Sequence, residues 1–377
     1  MEFGLFCGGF VPKYAWETDP DAEHTRILDE VRTAQVADRT NWKYWWTTEH
    51  HFLEEYSHIS ANEVLLTHIA ALTERIHVGS GINNITPPVN HPARIAERVA
   101  MQDHLSDGRF EFGTGRGSST TEQQGFGIDD PELTREMFDE VIGEFRRMWS
   151  ETDYAHDGTW FSMPERNILP KPWVKPRPPM WVAAGNPGTF EKAAKMGLGV
   201  LCFSAASPRK LEPLIEIYKK TIPDAEPVGD YVNDNVAVVS QFLCLEDRDA
   251  ARDWVTKGGT GYHNSLLFRY LDTFPKPEGI PDWPQLLPEP TRDEVDQRID
   301  SGVSCVGTPE DCAAAIEQFV DIGCDQILMG PSSSTWPADV VEEAIELFGN
   351  QVIPEFDRDD EHRTSRFRRE AGERSVR

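Results

Sequence analysis

The stretch Thr48-Glu49-His50-His51-Phe52 sets a carboxylate and two imidazoles side by side, just after the aromatic run Tyr44-Trp45-Trp46. Residues of these types can bind a metal, move a proton, or close a strand. Side chains alternate along a strand, so adjacent histidines point to opposite faces and do not share one ion. No third ligand stands at a matching spacing. The expectation is no metal. His50 is the candidate for proton transfer or hydrogen bonding near neutral pH, with His51 as a structural neighbour.

A second group could hold an anion. Gly185-Asn186-Pro187-Gly188-Thr189 reads as a glycine turn opening a helix, with Asn186 as N-cap and Pro187 at the first position. The N–H groups of Gly188 and Thr189 would then face an anion, aided by the helix dipole. Arg116 stands in the run GTGRG at the end of the strand expected next to this turn, and Arg135 follows early in the next helix. Guanidinium groups bind phosphate bidentately, so the set reads as a phosphate cradle. The G-x-G-x-G spacing is not a dinucleotide fingerprint, and no separate nicotinamide-binding domain is expected.

These residues need a scaffold that brings strand ends together. Strand-like runs (1–9, 42–49, 75–82, 109–117, 179–185, 199–204, 235–245, 325–330) alternate with helix-like runs, about eight β-α units in all. Parallel strands with helical crossovers in that number predict an α/β fold, a (β/α)8 TIM barrel with insertions. The candidates then fall where barrel sites lie, at the C-terminal strand ends, together with Gly81 and Asn83 after the third strand. One barrel domain is expected over residues 1–356. Residues 257–290 read as a mobile lid, and 357–377 as a charged, frayed tail.

Composition narrows the function classes. The net charge of −27 leaves no basic footprint for nucleic acid. Mean hydropathy is −0.50, and no apolar run is long enough for a membrane span. The start MEFGLFCGGF reads as a first strand rather than a secretion signal. Six scattered cysteines without a CxxC read as buried free thiols in a reducing cytoplasm.

Several segments in order resemble the bacterial luciferase-like flavin monooxygenase family: FGLF at 3–6, EHHF at 49–52, HPARIAERVAMQDHLSDGRFEFGTGRG at 91–117, FG at 126–127 followed by Thr134-Arg135, and PPMWVAAGNPGTFEKAAKMG at 178–197. The resemblance implies a luciferase-like barrel that binds FMN, with its phosphate at Arg116, Arg135, Gly185, Asn186 and Thr189. The ring system would lie near Gly81 and Asn83, where the family often has a non-prolyl cis peptide. His50 matches luciferase's catalytic histidine. Gly115 stands where luciferase has a reactive cysteine, which argues against light emission, and Gly185 replaces an acidic residue. The implied reaction is two-component. A separate NAD(P)H:flavin reductase supplies reduced FMN, dioxygen forms a flavin peroxide, and a small organic substrate is oxidised. Phe6, Trp45, Trp46 and Phe203 would shelter that chemistry and favour an apolar or aromatic substrate. The family also suggests a homodimer.

Three rivals are weighed. A deazaflavin-dependent oxidoreductase would transfer hydride without dioxygen. A non-catalytic flavin-binding barrel would not need the histidine. A metal-dependent hydrolase would show bound metal.

Overall fold

On the β-rich runs, alternate side chains enter two different environments, and this sorting builds the barrel. The computed structural model describes residues 1–54, 56–117, 119–203, 207–257, 290–331 and 336–375. Parallel strands follow one another around a closed sheet: β1 (Glu2–Cys7), β2 (Tyr44–Thr47), β3 (His77–Ser80), β4 (Phe110–Gly115), β5 (Met180–Ala183), β6 (Gly199–Phe203), β7 (Val236–Cys244) and β8 (Gln326–Gly330). β8 pairs back onto β1, with Phe3 opposite Ile327. This is the expected (β/α)8 barrel. A further strand, Ser304–Gly307, extends the end of β7 outside the ring. A separate two-stranded hairpin, Tyr154–Asp157 with Ser162–Arg166, lies outside the ring. Outside the sheet, two helices follow β4's short helix, Leu133–Val141 and Glu144–Ser150. They meet at Gly143, a residue type that weakens helices.

β2 shows how the sequence divides inside from outside. Tyr44 and Trp46 point into the barrel, where they pack with Trp181, Leu201, Val239 and Leu328. Trp45 points outward, and its indole N–H donates to Thr33 Oγ1 of helix Ala22–Arg39 at 3.1 Å. Gly79 on β3 is required by close approach. A Cβ there would lie 2.3 Å from the Trp46 ring, so the indole fills the space a side chain would need. All six cysteines are free and buried. No helix among the described residues is long and apolar enough to cross a membrane.

Residues 258–289 of the expected lid lie outside the described residues. The expected frayed tail differs from the structure. Arg363–Ser375 is a helix docked on the N-terminal end of the barrel. Its Arg368 is buried and ion-paired with Asp103 at 3.0 Å, and it also donates to the carbonyls of Gly108 and Val174 at 3.0 and 2.8 Å. Just upstream, the Arg363 N–H donates to Glu2 Oε1 at 2.8 Å, beside Lys43 at 2.9 Å. The composition looks solvated, but its cations are the anchors.

This floor carries a pH dependence. Glu111, inside the barrel, lies 2.7 Å from His77 Nδ1 and accepts from Thr364 Oγ1 at 2.6 Å and Trp181 Nε1 at 2.7 Å. Burial pushes Glu111 up to about 8. Burial, then the charges of Arg109, Arg368 and Lys43, pushes His77 down to about 3. The pair is therefore neutral. Glu111 keeps its proton and donates it to Nδ1, leaving His77 Nε2–H for Ser365 Oγ at 3.3 Å. The unfolded carboxyl titrates near 4.5 and the unfolded imidazole near 6.5. Between pH 6.5 and 8 the native state holds a proton that the unfolded chain has released, so stability falls as pH rises. Below 4.5 the unfolded chain protonates both groups and the native state only one, so stability falls again toward pH 3. Each arm is worth about 2 kcal/mol. Glu111→Gln should remove the alkaline arm. The urea midpoint measured from pH 6.5 to 8 should then be flat in the variant and falling in the parent.

Candidate active site at the C-terminal rim

The TEHHF motif lies just past β2, which ends at Thr47, so its geometry is that of a turn rather than of a strand. His50 Nδ1 is 3.1 Å from Glu122 Oε1, and the same oxygen accepts the His51 backbone N–H at 2.9 Å. Glu122 is buried, on the short helix Thr120–Gly125 that follows β4. A carboxylate only accepts, so the partner chemistry assigns the Nδ1–H tautomer and leaves Nε2 as the atom able to take or give a proton. The His50 ring stands edge-on to Tyr56, with centroids 4.7 Å apart. His51 turns to a different carboxylate, with Nε2 3.1 Å from Glu49 Oε1. Glu49 also accepts from Asn90 Nδ2 at 2.8 Å and from the Asn84 N–H at 3.2 Å. His51 therefore secures the turn that presents His50.

Next to this turn, the peptide Gly81–Ile82 is cis. Phe6 lies against it, since a Cβ on Gly81 would be 3.0 Å from the Phe6 ring. Phe6 stacks edge-on with Phe203 at 5.5 Å, and Trp46 with Trp181 at 5.3 Å. Asn83 is buried and pairs with Thr114 of β4. Phe6, Trp46 and Phe203 thus belong to one interior apolar cluster. Trp45 does not. The alternation of β2 turns it to the helix side, so it cannot line the mouth.

The anion candidates sit on neighbouring strands, since β4 pairs with β5. Arg116 is half-buried. It donates to Thr134 Oγ1 at 2.8 Å and meets no carboxylate at ion-pair distance among the described residues. Burial, then the nearby Arg135 guanidinium, lowers its pKa. Arg135 is exposed and paired with Glu132 at 3.3 Å. Helix Pro187–Lys195 begins with a capping box. Asn186 Oδ1 takes the Thr189 N–H at 3.1 Å, and Thr189 Oγ1 takes the N–H groups of Gly185 and Asn186 at 3.2 and 3.1 Å. The expectation that the Thr189 N–H faces an anion is therefore corrected, because the cap satisfies it. The Gly188 N–H has no partner among the described residues. Nothing lies within 4 Å of a Cβ built on Gly185.

The match to the luciferase-like monooxygenase family model runs over residues 1–326. The chain belongs to the luciferase-like monooxygenase family. Limonene 1,2-monooxygenase of Rhodococcus erythropolis is 25% identical over 364 residues, 95% of this chain and 87% of that one. Among solved structures, the oxygenating constituent of the 3,6-diketocamphane monooxygenase of Pseudomonas putida, in complex with FMN, superimposes with a TM-score of 0.75 at 18% identity, over 95% of this chain and 99% of that one. An F420-dependent secondary alcohol dehydrogenase superimposes at 0.68 with 16% identity, over 95% of this chain and 99% of that one. Family membership bears out the reading as an oxygen-incorporating oxidoreductase on a TIM barrel. It leaves flavin and deazaflavin both open.

Sequence reasoning missed Glu122, which lies in the plain polar run SSTTEQQ. Glu122 is 72 residues from His50, and no local pattern connects the two. A half-buried guanidinium crowded by a second one, with open space above Gly185 after the neighbouring strand, fits a phosphate ester.

Proposed function

We propose that this family member is the oxygenase of a two-component system. It takes reduced FMN from a separate reductase and uses dioxygen to oxidise a small organic substrate. The observation that carries this reading is Arg116, half-buried with Arg135 beside it and no carboxylate at ion-pair distance among the described residues. Reduced FMN, when bound, supplies the electrons and the carbon at which dioxygen is activated. The chain's own residues do the rest. Arg116, Arg135 and the Gly188 N–H would hold the phosphate. The interior cluster of Phe6, Trp46 and Phe203 would exclude water. Glu122 orients His50, whose Nε2 would move a proton at the reacting centre.

The test is anaerobic titration with reduced FMN and with reduced deazaflavin F420, each followed by rapid mixing with oxygenated buffer. Reduced FMN should bind, and its reoxidation should be slower than in free solution. Binding of F420 alone, or reoxidation at the free rate, would replace this reading with hydride transfer.

Arg116→Ala should weaken reduced FMN by about 2–3 kcal/mol, roughly 30- to 150-fold, because a charge-assisted bidentate contact is lost. Riboflavin, which lacks the phosphate, should lose nothing. Arg135→Ala should cost only a few-fold, since an exposed cation is screened. Equal losses for FMN and riboflavin would show that Arg116 does not hold the phosphate.

A further inference from the structure

Acidic residues outnumber basic ones in this chain by 64 to 37, so a partly buried guanidinium would ordinarily find a carboxylate. Arg147, Arg177, Arg252 and Arg368 each do. Arg109 and Arg116 meet none at ion-pair distance among the described residues. Arg109 spends its donors elsewhere, on the carbonyls of Ile76, Ala70 and Thr73 at 2.7, 2.8 and 3.0 Å and on Thr73 Oγ1 at 3.3 Å. Arg116 has a single partner among the described residues, Thr134 Oγ1 at 2.8 Å.

Thr134 can make that contact in one way only. It is fully buried at the start of the helix Leu133–Val141. Its hydroxyl proton goes to the Pro131 carbonyl at 2.6 Å, so toward Arg116 the oxygen accepts and cannot donate. The bond orients the guanidinium and leaves its charge intact. A carboxylate in the same place would hold the group as firmly, but it would cancel the charge, and an incoming anion would have to compete with it. Arg135, next along the helix, is exposed and tied to Glu132 at 3.3 Å, so it does not replace Arg116. A guanidinium has N–H donors in a planar fork, and those of Arg116 not spent on Thr134 match the terminal oxygens of a phosphate monoester.

We propose that Thr134 is a positioning residue for the flavin phosphate: its buried hydroxyl fixes Arg116 through a neutral bond, so that the guanidinium meets the phosphate already oriented and fully charged. The proposal rests on the oxygenase reading above and deepens its phosphate site.

Reduced FMN and reduced riboflavin differ only in the phosphate. Their anaerobic binding to the full chain is measured in the parent, Thr134→Val, Thr134→Ser, Thr134→Asp and Arg116→Ala. Valine keeps the volume and removes the acceptor, serine keeps the acceptor, and aspartate replaces it by a charge. Thr134→Val should weaken FMN roughly tenfold and riboflavin not at all. Thr134→Ser should bind FMN as the parent does. Thr134→Asp should lose as much as Arg116→Ala, because the guanidinium is then already paired. In the Arg116→Ala background, Thr134→Val should cost FMN nothing further, since the hydroxyl has no guanidinium left to hold. A general loosening of the fold would instead add its own loss there and would weaken riboflavin too.

Thermal melts tell unfolding from lost binding, and if Thr134→Val does not fold, the contrast between Thr134→Ser and Thr134→Asp decides. FMN binding unchanged in Thr134→Val, or FMN and riboflavin weakened alike, overturns the role of Thr134. In that case normal binding of reduced FMN to the parent leaves the oxygenase reading standing. If reduced FMN fails to bind the parent, the oxygenase reading falls and the proposal for Thr134 with it.

Discussion

Replacing His50 by alanine is expected to lower productive turnover by about 10²–10⁴-fold, the range for a positioned proton-transfer group. Less product should form per dioxygen consumed, with the shortfall released as hydrogen peroxide. The expectation rests on geometry. Glu122 Oε1 fixes Nδ1 at 3.1 Å, which leaves Nε2 for proton transfer. Glu122→Gln is the finer probe. A carboxamide oxygen in the same place still accepts from the His51 N–H and from Nδ1–H, so the tautomer is kept while the negative charge that steadies a protonated His50 is lost. Its turnover should fall between the parent and His50→Ala. Measuring dioxygen uptake, peroxide and product together with a substrate that supports turnover distinguishes this from a structural role. If His50→Ala couples dioxygen to product as the parent does, His50 has no part in proton transfer.

The second large effect is on stability. Arg368→Ala should destabilise the protein by about 3–5 kcal/mol, because it leaves Asp103 charged and buried without its partner. The melting temperature should drop by roughly 4–6 °C, since the unfolding entropy grows with chain length. The double variant Arg368→Met with Asp103→Leu should recover much of that loss, since an apolar pair of similar bulk removes the stranded charge. A chain ending after residue 356 should behave like the single variant or worse, because it also removes Thr364 from Glu111 and Arg363 from Glu2. A parent-like melting curve for Arg368→Ala would mean that the tail helix does not hold the floor in solution.

Local pattern alone determined the barrel. Strand runs of period two, helix runs of longer period, and a proline or glycine at several junctions are short-range signals, and the order of eight such units leaves few topologies. It also determined the candidates that follow strand ends, because a barrel gathers those ends on one face. His50, Arg116 and the Asn186 cap were legible for that reason.

Three things only the tertiary structure decided. The side to which Trp45 faces depends on the register of β2 against its neighbours, and one residue of shift exchanges inside for outside. Glu122 meets His50 across two strands and 72 residues, and no local pattern encodes that pairing. The tail reads as solvated because composition counts charges without their partners. Arg368 is buried because Asp103 and a ring of carbonyls await it. Periodicity is written in neighbours along the chain, whereas the pairing of polar groups is settled by neighbours in space.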